Sequence, residues 1–190
     1  MKKILTAVVA TALLAINSIA SEEMHLEGHE SEDNFYIATK AMYTLGATVE
    51  EETSTLDGGT GAGLGIDVGY KLGAGVSVEI DGTYVKGSVV ETKANGDKES
   101  MDASYMTSSL DVAYVYHATH EVELFAKGGY EYEFEKISKL GVDAVNSGFI
   151  YAVGTEYELS HTSALSFEYE VTTIKGPRGN SVFAGYVYSF

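Results

Sequence analysis

Residues 122–134, with the sequence VELFAKGGYEYEF, decide the fold because their side chains alternate between apolar and polar character. One parity carries Leu124 and Tyr132, whereas the other carries Glu123 and Glu131. A period of two residues predicts a β-strand, since successive side chains of a strand point to opposite faces of a sheet. This segment is therefore predicted to separate an apolar environment from a charged one.

Seven other segments show the same alternation, and no segment has a convincing helical period. The predicted strands are residues 35–49, 61–72, 76–90, 103–117, 121–134, 147–159, 164–173 and 181–190. Short turns near residues 73–74, 118–120 and 160–163 alternate with long polar loops at 50–60, 91–102, 135–146 and 174–180. This alternation of short and long connections is typical of transmembrane barrels with an even number of strands.

The acidic residues of the predicted strands test which face could meet a membrane. The more apolar parity of the strands contains no acid, and the opposite parity contains all of those present. The acids on the opposite parity are Asp67, Glu79, Asp81, Asp111, Glu121, Glu123, Glu131, Glu133, Glu156, Glu158, Glu168 and Glu170. Because a charge facing the bilayer centre costs about 2 to 4 kcal/mol for Arg or Lys, and less for acids, this separation favours membrane insertion.

A water-soluble barrel would also alternate, with its apolar face turned inward, so the aromatic residues must distinguish the two arrangements. By parity, 17 of the 21 aromatic side chains lie on the apolar face. Each aromatic ring buries roughly 150 to 250 Å², and the interior of an eight-stranded barrel has room for ordinary side chains only. The rings must therefore face lipid, which predicts an all-β, eight-stranded antiparallel up-and-down transmembrane β-barrel over residues 35–190.

The first 34 residues are expected to stand apart from the barrel. Residues 1–20 have two lysines, an apolar run and a small-x-small end at Ala20, which predicts a cleaved secretory signal peptide. Residues 21–34 are acidic and without periodicity, which predicts a flexible N-terminal segment. The full sequence has a formal net charge of −16 and no cysteine, which disfavours nucleic acid as a partner and excludes disulfide or thiolate chemistry.

The end of the sequence carries a resemblance to a known family. The last strand places Tyr186, Tyr188 and the terminal Phe190 on the outward parity. With the signal peptide and the eight amphipathic strands, it resembles the C-terminal strand of small bacterial outer membrane barrels such as OmpX and the transmembrane domain of OmpA. The resemblance implies a monomer in the Gram-negative outer membrane, in contact with lipid and lipopolysaccharide. It also implies recognition of Tyr186, Tyr188 and Phe190 by the barrel assembly machinery.

The inward parity predicts a charged network in the lumen. Counting residues outward from the predicted turns places Asp111 opposite Lys127, which predicts an ion pair, and Asp67 opposite Glu79, which predicts like charges that need a cation, a proton or a neighbouring lysine. We interpret the lumen as a hydrogen-bonded polar plug, with an ion-conducting interior as the alternative. The predicted network comprises Lys40, Asp67, Glu79, Asp81, Asp111 and Lys127.

Most of the basic residues beyond the signal peptide lie at or beyond the predicted extracellular rim. Cations at this level could hold the phosphates of lipopolysaccharide through charge-assisted hydrogen bonds, or could simply be solvated loop charges. The candidates for lipopolysaccharide contact are Lys86, Lys136, Lys139, Lys175 and Arg178.

No residue pattern points to catalysis, to a cofactor or to a metal. All five histidines fall on the predicted periplasmic side, where they could not activate a serine near the outer leaflet. They are His25, His29, His117, His120 and His161. His25 and His29 have the i, i+4 spacing that can bind a metal on a helix, but no helix is evident there, which favours solvated polar residues over a metal site. The glycine-rich residues 58–65 open a strand and lack the Lys-Ser/Thr of a phosphate-binding loop.

The leading hypothesis is a non-enzymatic outer membrane barrel with a role in envelope integrity or in presenting surface loops. The alternative is a narrow, cation-preferring pore through the acidic lumen. A third hypothesis is an adhesin that acts through the loop at residues 91–102, or an enzyme that modifies lipid A.

Overall fold

The structure is a computed structural model that describes residues 34–51, 53–138 and 140–190. The described strands are β1 (Phe35–Thr44), β2 (Thr48–Glu50), β3 (Ser54–Gly58), β4 (Gly61–Gly73), β5 (Val76–Lys93), β6 (Lys98–His117), β7 (Val122–Ile137), β8 (Val142–Ser160), β9 (Ser163–Thr172) and β10 (Ser181–Ser189). No described segment is a helix long and apolar enough to cross a membrane. The predicted signal peptide and residues 21–33 of the predicted acidic segment lie outside the described residues.

Eight of these strands close into a ring of antiparallel pairs. The closure is made by β1, which pairs with β4 on one side and with β10 on the other, so that Ile37 lies between Val68 and Tyr188. From β4 to β10 each strand pairs with the next one along the chain. The predicted eight-stranded antiparallel barrel is confirmed, and closure leaves the ring without a free edge.

The two faces of the ring differ as the alternation predicts. Leu64 and Leu110 on the outside are 72% and 59% exposed, whereas Asp67 and Asp111 on the inside are each 2% exposed. The aromatic residues that are buried inside the barrel are Tyr36, Tyr105, Phe125 and Phe183. The barrel therefore presents an apolar, ring-rich surface outward and encloses its carboxylates.

At one end of the ring the strands are joined by short turns, and we call this end the short-turn rim. At the other end β5, β6, β7 and β8 extend past the ring as long hairpins, and we call this end the long-hairpin rim. At the long-hairpin rim, β5 and β6 run to a turn at residues 94–97, and β7 and β8 run to a connection whose described residues, 138, 140 and 141, form turns. The predictions of long loops at 91–102 and 135–146 are therefore wrong. The inner face of each segment carries few apolar side chains, such as Met101 and Ile137, and polar residues of the turn interrupt it, so the alternation was too short to recognise in the sequence.

The predicted loop at residues 50–60 and the predicted end of the first strand at residue 49 are also wrong. Gly46 has a φ of 72°, a left-handed conformation that ends β1 and turns the chain into the β2–β3 hairpin. β3 then pairs with the end of β5, placing Leu56 opposite Glu91. β2, β3 and the ends of β5, β6, β7 and β8 that extend past the ring thus form a sheet in the order β2-β3-β5-β6-β7-β8, which we call the protruding sheet.

The predicted ion pair between Asp111 and Lys127 is wrong. Asp111 lies opposite Gly129, and Lys127 lies opposite Ala113. The last pair of the β6–β7 hairpin joins residues 117 and 123, so the turn is longer than the one assumed from the sequence. This lengthening shifts the register by two residues, which changes the partners and keeps every side chain on its predicted face.

The same even shift corrects the pairing of β4 with β5. Asp67 lies opposite Asp81, and Glu79 lies opposite Gly69. The cause is an irregularity between Lys71 and Gly73, where the register of the hairpin changes just before its turn. Asp67 is therefore next to a like charge, as predicted, although that charge belongs to a different residue.

Candidate functional site

The lumen is the part of the barrel where charged side chains converge. Lys40, in the middle of β1, is 3% exposed. Its Nζ lies 2.8 Å from Oδ2 of both Asp67 and Asp81, and 3.6 Å from Oε2 of Glu168. The lysine thus neutralises the repulsion between the two adjacent aspartates of β4 and β5, which is why both can be buried.

Lys127 enters the same group of carboxylates from β7, on the other side of the ring. Its Nζ lies 2.8 Å from Oε2 of Glu79, 2.9 Å from Oε2 of Glu168 and 3.5 Å from Oδ2 of Asp67. Residues from β1, β4, β5, β7 and β9 therefore meet across the lumen. We call this group the strand cluster, and its members are Lys40, Lys127, Asp67, Glu79, Asp81 and Glu168.

Tyr36 closes the lumen below this cluster, toward the short-turn rim. Its hydroxyl donates to a carboxylate oxygen of Glu79 and lies 3.1 Å from Oγ of Ser77. The ring fits because Gly69 lies beneath it: a Cβ at Gly69 would stand 2.0 Å from Cζ of Tyr36. Gly69 therefore provides space for a ring that crosses the lumen.

A second group of charges lies around Arg178, in the connection between β9 and β10. The guanidinium contacts Glu131, has its Nε 2.5 Å from Oε2 of Glu133, and has Nη1 3.8 Å from Oε1 of Glu170. Arginine stays charged in proteins, and its planar group suits several carboxylates at once. We call these four residues the loop cluster.

The sequence-based assignment of Arg178 to the outer surface is wrong, because the residue is 2% exposed and points into the barrel. The β9–β10 connection folds inward and is held by backbone hydrogen bonds from Gly46 N to Arg178 O, 3.1 Å, and from Ala47 N to Pro177 O, 3.0 Å. Sequence reasoning missed this cation because it treated a loop between polar residues as solvated. A possible signal was the apolar Ile174 within that loop, which is 8% exposed in the structure.

An apolar cluster fills the lumen toward the long-hairpin rim. Phe183, a member of the cluster, is 1% exposed, and its ring centre lies 4.4 Å from Nζ of Lys40. The buried members are Met42, Leu56, Val85, Val89, Met101, Ala103, Tyr105, Ile137 and Phe183. The charges of the strand cluster are thus covered by hydrocarbon as well as paired.

The enclosed part of the lumen has more carboxylates than cations. The cations of the two clusters are Lys40, Lys127 and Arg178, and the buried acids are Asp67, Glu79, Asp81, Asp111, Glu131, Glu133, Glu135, Glu168 and Glu170. Among the described residues, no group of three or more His, Asp or Glu side chains is arranged to hold a metal ion. The arrangement can hold strands together across the lumen.

The remaining lipopolysaccharide candidates lie outside the lumen or outside the described residues. Lys86 and Lys136 are exposed on the outer face of β5 and β7. Lys175 is exposed on the β9–β10 connection, beside a cavity of about 330 Å³ between that connection and residues 47–50. Lys139 lies outside the described residues.

The C-terminal aromatic residues lie on the outer face of the closing strand. Tyr186, Tyr188 and Phe190 are 44%, 49% and 54% exposed. The ring of Phe190 stacks on Tyr188 and on Phe35, with centroids 6.3 and 6.4 Å apart, and its backbone N–H donates to Phe35 O over 2.9 Å. The end of the chain is thus joined to its first strand.

Solved structures with the same fold are outer membrane proteins. The chain superposes on OprG from Pseudomonas aeruginosa with a TM-score of 0.66 at 12% identity, covering 87% of this chain and 99% of that one. The Neisserial surface protein NspA gives a TM-score of 0.56 at 18% identity, covering 82% and 97%. Ail of Yersinia pestis gives 0.54 at 15% identity, covering 83% and 99%.

Sequence comparison identifies the family directly. No curated protein is significantly similar to the chain in sequence. The family model described as the outer membrane protein beta-barrel domain matches residues 6–190. This match and the shared fold locate the protein in the outer membrane, where its apolar face meets lipid and lipopolysaccharide. The chain belongs to the outer membrane protein β-barrel domain family.

Proposed function

We propose that this protein is a closed, non-enzymatic barrel that anchors the protruding sheet at the cell surface. The observation that carries the proposal is the filled lumen. Side chains of the strand cluster, the loop cluster and the apolar cluster are buried along it, and most are exposed by less than a tenth. A water-filled channel would leave such side chains exposed to solvent.

The protruding sheet supports a role in surface presentation. At the long-hairpin rim, residues 142–148 of β8 pair with β7 on one side only among the described residues, because the contacts of β8 with the chain of β9 end at Phe149, whose N–H and C=O are hydrogen-bonded to Thr173. An unpaired strand edge above the membrane is a surface to which an extended segment of another molecule can add. The short-turn rim is then periplasmic, as in other barrels with short periplasmic turns.

The distribution of histidines supports the absence of catalysis. The described histidines, His117, His120 and His161, all lie at the short-turn rim, far along the strands from the long-hairpin rim. Ser104, at the outer end of β6, therefore has no histidine close enough to act as its base among the described residues.

The C-terminal strand supports recognition by the barrel assembly machinery during insertion. Tyr186, Tyr188 and Phe190 are exposed on its outer face, where the rings of Tyr188 and Phe190 stack. Replacing Phe190 with serine should lower the amount of folded protein in the outer membrane, while the same protein refolded in detergent should still form the barrel. Equal amounts of the variant and the wild type in the membrane would contradict this assignment.

Single-channel recording in planar bilayers tests the closed lumen. The wild-type barrel should produce no reproducible conductance steps in 1 M KCl, a condition that detects even narrow pores. The alternative, a cation-preferring pore, is favoured by the excess of carboxylates and would give reproducible steps that reverse at a cation-selective potential in a salt gradient. Such steps would reject the proposed function.

A further inference from the structure

Two lysines and a serine form a row across three neighbouring strands on the outer face of the barrel. Lys86 of β5 lies opposite Ser104 of β6, and Ser104 lies opposite Lys136 of β7. Both lysines are exposed, and the serine between them is half-buried. Because the three residues share one register line and one face, their side chains emerge side by side toward the surroundings of the barrel.

Neither lysine has a carboxylate partner within ion-pair distance in the described part of the chain. Lys40 and Lys127 are paired in the lumen, and Lys93 lies 3.6 Å from Glu99. The Nζ of Lys86 lies 6.0 Å from the centre of the Tyr84 ring, at the limit of a cation–π contact. Asp143 lies opposite Lys136, but the two side chains form no ion pair. In a chain with a net charge of −16, two adjacent unpaired cations need a physical reason.

The position of the row along the strands places it at the upper boundary of the lipid-facing band. Lys86 stands ten residues after Val76, the start of β5, and a transmembrane strand crosses the bilayer in roughly 9 to 11 residues. Two residues closer to the short-turn rim, the next row of outward-facing side chains is apolar and consists of Tyr84, Met106 and Phe134. The row therefore lies where hydrocarbon gives way to headgroups.

The spacing of the row suits a phosphate group. Neighbouring strands lie about 4.8 Å apart, so the Cα atoms of Lys86 and Lys136 are about 10 Å apart across β6. Flexible lysine side chains can bring two ammonium groups to opposite sides of one phosphate over that distance, and the Ser104 hydroxyl lies between them as a further donor.

We propose that Lys86, Ser104 and Lys136 bind a phosphate group of lipopolysaccharide in the outer leaflet. The lipid is held by its phosphate at the row and by its acyl chains against the apolar surface below, which includes Tyr84. This site goes beyond the proposed function, because it is independent of whether the lumen conducts and of what the protruding sheet binds.

Binding of purified lipid A to the folded barrel in detergent micelles tests the site. Diphosphoryl lipid A and fully dephosphorylated lipid A are the two probes, and native mass spectrometry measures the bound fraction. The K86Q/K136Q variant should bind diphosphoryl lipid A about tenfold more weakly than the wild type, which corresponds to about 1.4 kcal/mol, because it loses two cations near a lipid headgroup. Dephosphorylated lipid A should bind both proteins equally.

A matched control removes the same charge elsewhere. The K93Q/K98Q variant changes two lysines near the β5–β6 turn of the protruding sheet, and it should bind diphosphoryl lipid A like the wild type. The K86R/K136R variant should retain binding. Equal weakening of binding by K93Q/K98Q, or unchanged binding in K86Q/K136Q, would overturn the proposed phosphate site. Faster migration of each unboiled sample on a gel verifies that the barrel is folded.

Discussion

The strand cluster and the loop cluster pair buried charges by different means. In the strand cluster, two lysines from the ring are fixed by the register of the barrel and touch four carboxylates. In the loop cluster, one arginine arrives from a connection that folds into the lumen. The difference teaches that the alternation of a strand determines where its charges point, whereas the conformation of a loop depends on contacts distant in sequence.

The largest expected effect comes from removing a cation of the strand cluster. The K40M variant removes the buried cation shared by Asp67 and Asp81 and leaves Asp67 only its 3.5 Å contact with Lys127, which should lower the free energy of unfolding by about 3 to 5 kcal/mol. Urea unfolding in lipid vesicles, followed by the gel mobility of the folded form, measures the change. The K40M/D67N/D81N variant is the control and should recover most of the loss; no recovery would show that the lysine acts through packing alone.

A smaller effect is expected when the cation of the loop cluster is removed. Because the β9–β10 connection lies at the long-hairpin rim, water can reach Glu131 and Glu133 once the guanidinium is absent. The R178M variant should therefore lose about 2 kcal/mol of unfolding free energy, within the range for hydrogen bonds to charged groups. A loss equal to or larger than that of K40M, in the same assay, would contradict the difference between the two clusters.

The packing beside the strand cluster should be sensitive to a single methyl group. The G69A variant places a Cβ against the ring of Tyr36, which must move away from Glu79, and should cost about 1 to 2 kcal/mol of unfolding free energy. The matched control is G82A, where the nearest atom would be 3.9 Å from the new Cβ. Similar unfolding midpoints for the two variants would show that Tyr36 is not held as described.

The smallest effect is expected at Asp111, the residue whose predicted partner was wrong. Its Oδ2 accepts a hydrogen bond from Ser109 over 2.7 Å, and its Oδ1 has no hydrogen-bond partner. The D111N variant removes a buried charge that no lysine pairs directly, so the free energy of unfolding should change by less than about 1 kcal/mol. A loss comparable with that of K40M would instead support the ion pair with Lys127 expected from the sequence.

The sequence predicted the faces of the strands better than their partners. Asp67, Asp111 and Lys127 all point inward as predicted, because a register error of two residues preserves the face of every side chain. The partners of these residues depended on the length of a turn and on an irregularity near Leu72, neither of which has a clear signal in the sequence.

The sequence was least informative about segments outside the lipid-facing ring. The protruding sheet was predicted as loops, because its buried apolar side chains, such as Leu56, Met101 and Ile137, are too widely spaced along the chain to form a recognisable alternation. Arg178 was placed at the surface, because no local pattern shows that residues 45–47 would bind the β9–β10 connection and turn it inward. The error at Arg178 arises from contacts between segments far apart in the chain, whereas the missed hairpin ends pair residues that are close in sequence.

The accessibility of single cysteines on neighbouring residues tests the central claim most directly, since the chain has no native cysteine. Ser109 is buried in the lumen, whereas Leu110 is 59% exposed on the outer face. In vesicles, S109C should react slowly with both a small water-soluble thiol reagent and a lipid-soluble one, and L110C should react only with the lipid-soluble reagent. N95C, at a turn of the protruding sheet, should react fully with the water-soluble reagent. Rapid reaction of S109C with that reagent would mean that the lumen contains continuous water, which would contradict a closed barrel.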